Sequence, residues 1–334
     1  MSSSLLSALL VLGGQGAPAT VELPYEVEAT AELQRVVDGD TLEVLLDGEK
    51  RTLRLSSVDT EEKISGRPAG SPTKPETVFG QETALWARDF FAELGSPARI
   101  GLAFPEGRRE DAYGRLLCHV LLSDGRDFNL LLVEQGKSPY FNKYGNCPLA
   151  HEAFVRAQEE AQRRQLGIWN PATNRARTPG VPSAVRPYAE LLPWWNARAE
   201  AIDRFRSSGE LAGGRLVSAE DPAGLERAFR SSQDDPALRI TVFGTIRRFF
   251  DEADGSLTVL LRDGDARQAL RARVPKERRG ELEGLLRQSC EEFRQNYLYA
   301  EGTLTRNTRG YLLVTAERSQ WRAAEPEYSP PGGR

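Results

Sequence analysis

Two Asp-Gly pairs, Asp38-Gly39 and Asp47-Gly48, divide one stretch of the chain into apolar runs too short for helices. Those runs cover residues 31–37, 41–46 and 50–56. Asp-Gly between alternating apolar segments signals a tight turn, so the pattern predicts a three-stranded meander. Asp40 then falls near one end of the meander and Asp59 just beyond its last strand. Successive strand side chains alternate, which puts Arg54 on the face opposite Leu53 and Leu55. A further strand over 116–122 follows the Tyr113-Gly114 turn and carries Arg115 at its start. Between them, Ala84, Ala87, Phe91 and Leu94 recur at helical spacing and predict a helix over 81–94.

The polar residues at these joints form a chemical inventory. Cutting a phosphodiester needs a hard cation, oxygen ligands for it, a base for water and cationic donors on the phosphate. Asp40, Asp59 and the Glu61-Glu62 pair supply oxygens and a base, and Arg54 and Arg115 supply donors. Carboxylates at strand ends are held by a sheet yet reach solvent, which suits a cation that keeps waters. Calcium fits better than zinc, because the chain has 2 histidines and no Cys-x-x-Cys pair. A guanidinium fork matches two phosphate oxygens in a way lysine cannot copy. Each motif alone is ordinary: an Asp-Gly turn, a strand arginine, a surface glutamate pair. Their conjunction in this order is what carries information.

That conjunction resembles the staphylococcal nuclease (thermonuclease) family. The resemblance rests on Asp38-Gly39-Asp40-Thr41, Leu53-Arg54-Leu55, Val58-Asp59-Thr60-Glu61-Glu62 and Asp111-Ala112-Tyr113-Gly114-Arg115, and extends to Leu166-Gly167-Ile168-Trp169. It implies a five-stranded oligonucleotide/oligosaccharide-binding (OB) barrel with three helices, cleaving DNA and RNA towards 3′-phosphorylated products. Asp40, Asp59 and the backbone carbonyl of Thr60 would hold calcium. Glu62 would position or deprotonate the attacking water, and Arg54 and Arg115 would clamp the phosphate. Tyr113, Tyr140 and Tyr144 would line the substrate. Two features depart from the family. Glu61 stands where it usually has proline, which frees the backbone before Glu62 and sets a second carboxylate beside it. Residues 21–170 also hold 18 Lys+Arg against 25 Asp+Glu, so long-range attraction to a polyanion is weak.

The chain has 334 residues, for which two domains are expected. The expected organisation is an α+β, mainly β chain with a nuclease barrel at 25–171, a linker at 172–187, a helical segment at 188–235 and a second OB-like barrel at 236–322. The second barrel is inferred from three strands, a helix and two strands in that order. Residues 323–334 read as a disordered tail. Residues 1–19 resemble an export signal, with a short apolar core and Ala17-Pro18-Ala19 before Thr20. Secretion, or a periplasmic or cell-envelope location, would follow. No apolar run is long enough for stable membrane insertion. Three cysteines give no disulfide framework. Residues 63–79 form a long loop with Arg67 and Lys74, either a substrate rim or a tolerated insertion.

Residues 171–334 carry 26 Lys+Arg against 23 Asp+Glu, with Arg271, Arg273, Lys276, Arg278 and Arg279 clustered. With Phe249, Tyr297, Tyr299 and Tyr311 these could hold a single strand; a structural or docking role is the other reading. The alternative for the whole chain is a tandem OB module that binds nucleic acid or protein without cutting it.

Overall fold

The computed structural model describes residues 25–65, 74–104, 109–111, 113–174, 185–208, 213–265, 268–290, 295–315 and 317–324. The signal-like start, residues 66–73 of the long loop, most of the expected linker and most of the tail lie outside the described residues. The expected meander is present as β1 (Ala29–Asp38), β2 (Thr41–Leu46) and β3 (Glu49–Leu55). After α1 (Val78–Glu93), β4 (Arg99–Ala103) and β5 (Leu116–Leu121) close the sheet into a barrel, order β1-β2-β3-β5-β4. The β3–β5 pair is parallel, and the other pairs are antiparallel. Alternate strand positions fill the interior: Leu42, Val44, Leu53, Leu55, Ile100, Leu102, Cys118 and Val120 are all buried. α1 begins before the periodic residues do, because Thr77 caps it by accepting the Gly80 N–H at 2.8 Å. α2 (Phe128–Glu134), capped by Asp127, and α3 (His151–Arg163) complete the first core.

Residues 188–235 do not form a separate helical segment. α4 (Tyr188–Arg206) buries Trp194 and Trp195 against Phe141, Ile168 and Trp169 of the first unit. Its later residues Ala201, Ile202 and Phe205 pack on Leu216, Phe243 and Tyr297 of the second. The helix is therefore a rod clamped between both cores. β6 (Leu216–Ser218) and α5 (Pro222–Asp234) then belong to the second core.

That core is built from β7 (Ile240–Thr245), β8 (Arg248–Asp251), β9 (Leu257–Arg262), β10 (Leu270–Val274), α6 (Lys276–Gln288), β11 (Tyr297–Asn307) and β12 (Gly310–Val314). β8 pairs with β9, β9 with β10, β10 in parallel with β12, β12 with β11 and β11 with β7. Reading β7 and β8 as one strand broken at Ile246-Arg247, the pairing order matches the first barrel. The difference lies at the margins, where β6 adds to β7 and β13 (Trp321–Ala323) adds to β11. Among the described residues no helix is long and apolar enough to cross a membrane.

Candidate active site

The β2–β3 register places Thr41 opposite Arg54, and the Leu55 N–H donates to the Asp40 carbonyl at 2.9 Å. Asp40 and Arg54 are thereby neighbours at one mouth of the barrel. The chain then turns through Ser57, and Asp59 is fixed by donating its N–H to Ser138 Oγ at 2.8 Å. The Thr60 N–H donates to Asp40 Oδ2 at 3.0 Å, which ties the two acidic segments together. Gly39 is needed for this approach, since a Cβ there would stand 2.8 Å from Thr83 Cγ2 and 2.9 Å from the Thr60 side chain.

Arg54 connects the acids. Its Nη1 donates to the carbonyls of Leu55 and Val58, both at 2.9 Å, which locks the fork. Its Nη2 donates to Asp59 Oδ1 at 2.6 Å and lies 3.3 Å from Asp40 Oδ2. Both carboxylates thus converge on a single cationic atom. Asp59 has two more cations: Lys74 Nζ at 2.6 Å from Oδ1, and Arg186, whose Nη2 meets Oδ2. Burial works to raise the Asp59 carboxyl, but Arg186, then Lys74 and Arg54, hold it well below the ordinary value.

The adjacent glutamates divide into two roles. Glu61 is buried and accepts from Thr77 Oγ1 and Asn174 Nδ2, each at 2.6 Å, and from Tyr188 O–H at 3.3 Å. Glu62 keeps 44% of its side chain exposed, with Lys74 3.9 Å away. Partial burial raises its carboxyl, and the charges of Asp40 and Asp59 add to the effect against Lys74. Its backbone is clamped even without proline. The Thr77 N–H donates to the Glu62 carbonyl at 3.0 Å, and a Cβ on Gly80 would lie 2.3 Å from that oxygen. The start of α1 therefore does the fixing that the ring would have done. Asp38 is a further acid at this mouth, pushed up to about 6 by burial, with help from Asp40 and Glu62.

Arg115 immediately precedes β5, whose Leu116 pairs with Leu53 of β3, and bonds Asp111 Oδ2 through Nε at 2.8 Å. It is about one-third exposed and lies under the Tyr113 ring at 5.5 Å. Tyr113 and Tyr144 are open to solvent. Tyr140 is not: it is buried, stacked on Phe154 at 5.1 Å, with its hydroxyl engaged by the Cys147 N–H and His151. It is a core residue and offers no face to a base. Lys143 enters the site unannounced by the sequence. Burial, with Arg198 adding, pushes it down to about 8, and its Nζ lies 4.8 Å from the Trp194 ring.

The donor set of Asp40 and Asp59 carboxylates with the Thr60 carbonyl suits a hard, oxygen-seeking divalent cation. Both carboxylates share Arg54 Nη2 as a neighbour, and among the described residues no group of three or more His, Cys, Asp or Glu side chains gathers into a metal cluster.

The basic cluster on the second sheet is largely neutralised. Arg273 pairs with Asp254, Arg278 with Glu281, and Arg279 with Asp251 and Glu283. Tyr311 is buried and donates to Glu226, while Tyr297 and Tyr299 pack against Phe243. These rings belong to the packing of the domain.

Residues 52–171 match a family model described as staphylococcal nuclease homologue. The thermonuclease of Staphylococcus intermedius is 32% identical over 142 residues, covering 41% of this chain and 74% of that protein. Endonuclease YncB of Bacillus subtilis is 31% identical over 146 residues, 43% of this chain and 64% of that protein. Endonuclease YhcR of the same organism is 27% identical over 275 residues, 75% of this chain but 21% of that protein. The chain thus spans less than two thirds of these Bacillus relatives, while most of the staphylococcal enzyme is matched. With the closed barrel and the site at its mouth, these matches show that the chain belongs to the staphylococcal nuclease family.

Proposed function

We propose that the first barrel is the catalytic unit of a calcium-dependent nuclease that hydrolyses phosphodiesters of DNA, RNA or both, leaving 3′-phosphates. The observation that carries this reading is the meeting of Asp40 and Asp59 on Arg54 Nη2, with the half-exposed Glu62 beside them. The names of the relatives, thermonuclease and endonuclease, support it. Glu62 takes a proton from the attacking water, and its raised affinity for protons suits a general base. Arg54 and Arg115 donate to the non-bridging oxygens as charge grows on them. Arg54 is fixed through Nη1 by two carbonyls, but its Nη2 must exchange Asp59 for phosphate, as Arg115 must exchange Asp111. The phosphorus–5′-oxygen bond breaks, and the 5′-hydroxyl leaves. A divalent cation on Asp40, Asp59 and the Thr60 carbonyl would add Lewis-acid stabilisation of the same charge. Tyr113 and Tyr144 are exposed, and their rings would stack on bases of the substrate. Residues 1–19 are read as an export signal, so the site would work outside the cytoplasm.

The two glutamates test this assignment. Glu62→Gln removes the base and lowers turnover by about 10²–10⁴-fold without unfolding the chain. Glu61→Gln disturbs the buried junction with Thr77, Asn174 and Tyr188 and chiefly lowers thermal stability. A Glu61→Gln protein that is stable but inactive, beside an active Glu62→Gln protein, would exchange the roles and refute the assignment.

A further inference from the structure

Arg186 lies beyond the family-matched residues 52–171 and 127 positions after Asp59, yet it is the most enclosed cation at the site. Its side chain is 2% exposed. Nη2 meets Asp59 Oδ2, and Nη1 donates to the Asp59 carbonyl at 3.0 Å. The guanidinium sits 5.2 Å from the Trp195 ring and 5.5 Å from the Tyr188 ring, both on α4. Trp195 is in turn packed edge-on against Phe141 at 4.8 Å. Aromatic walls that are themselves buried hold the charge in place.

The other two cations on Asp59 differ in kind. Lys74 is 40% exposed and can return to water at little cost. Arg54 is tied to two backbone carbonyls and belongs to the barrel itself. Arg186 alone comes from the segment that joins the barrel to α4. A second positive charge arriving at Asp59 is repelled by this one at short range, where burial leaves little solvent to screen it. Among the described residues Arg186 Nε has no hydrogen-bond partner. Tyr188 is a further polar neighbour, but the Asp59 charge is the largest attraction on Arg186, so a cation that shares that charge weakens the seat.

Resting on the calcium reading above, we propose that Arg186 is an intramolecular counter-ion that competes with the divalent cation for Asp59. The segment following the barrel thereby sets the calcium affinity of the site. Linkage makes the effect reciprocal, so calcium loosens the docking of residues 186–191.

Calcium titration by calorimetry of the full chain tests this, with Arg186→Gln, Arg186→Lys and Asp40→Ala in parallel. Arg186→Gln is expected to tighten calcium binding about tenfold or more by removing a nearby charge. Arg186→Lys, which keeps the charge, should stay near the unaltered protein, and Asp40→Ala should lose binding. A second measurement needs no variant: saturating calcium should speed hydrogen exchange at Tyr188 and Leu191, whose amides bond to Arg186 and Pro187. That measurement decides the matter alone if the Gln variant does not fold. Calcium binding that is unchanged or weaker in Arg186→Gln, or exchange that calcium leaves unaltered, overturns the proposal and leaves the calcium site standing. Absence of binding in every protein, the unaltered chain included, overturns both.

Discussion

Replacing Asp59 with Asn should unfold the first barrel far more readily than a typical surface change. Asp59 is fully buried, and its two oxygens take Arg54, Lys74 and Arg186. Asparagine has one acceptor oxygen and would turn an N–H donor group towards one of those cations. Arg186 would then be a buried charge facing a neutral partner, and breaking a buried pair in this way costs about 3–5 kcal/mol. Lys74, at 40% exposure, adds little to that figure. At about 2–4 °C per kcal/mol for a unit of this size, the melting temperature should fall by roughly 6–20 °C. The assay is thermal unfolding in chelator, followed by circular dichroism and tryptophan fluorescence. Asp59→Asn/Arg186→Gln should recover part of the loss, because the stranded charge is gone. A loss below about 1 kcal/mol, the range of exposed ion pairs, or strict additivity in the double variant, would refute the argument.

Other expectations concern parts of the chain outside the acid cluster. His119 is fully buried and 2.6 Å from Asp127 Oδ2; burial pulls its imidazole down, but the carboxylate outweighs this and raises it to about 10. The stabilisation is therefore complete below the unfolded histidine value near about 6.5 and is lost as pH rises through about 10. Proton NMR can follow His119, and an ordinary titration of that residue near 6.5 would contradict the reading. The mature protein recovered from its host should begin at or near Thr20 and accumulate outside the cytoplasm, whereas cytoplasmic protein retaining Met1 would reverse that expectation.

Local pattern made the barrel legible, and distance hid what completes its site. Asp38-Gly39 and Asp47-Gly48 marked the turns of β1, β2 and β3, and alternation put Arg54 outside a core of Leu53 and Leu55. In the second half, the strand–helix–strand order was readable because each strand is a short apolar run between turns. β6 was missed because 3 residues are too few to show alternation. Arg186 stood in a stretch rich in proline and arginine that reads as a linker, and nothing local reveals a partner 127 positions away. Tyr140 was expected at the substrate only through the family resemblance, and nothing local reveals the Phe154 and Cys147 that enclose it. Glu61 and Glu62 are indistinguishable in composition. Only the packing of α1, Asn174 and Tyr188 separates a buried structural acid from an exposed one.

The most direct test is cleavage by the purified full chain of end-labelled single- and double-stranded DNA and RNA, in calcium and in chelator. Cleavage in calcium should leave 3′-phosphates, disappear in chelator and fall by about 10²–10⁴-fold in Glu62→Gln. Tight binding without cleavage, cleavage undiminished in chelator, or full activity in Glu62→Gln would contradict the account of this site as a calcium-dependent nuclease centre.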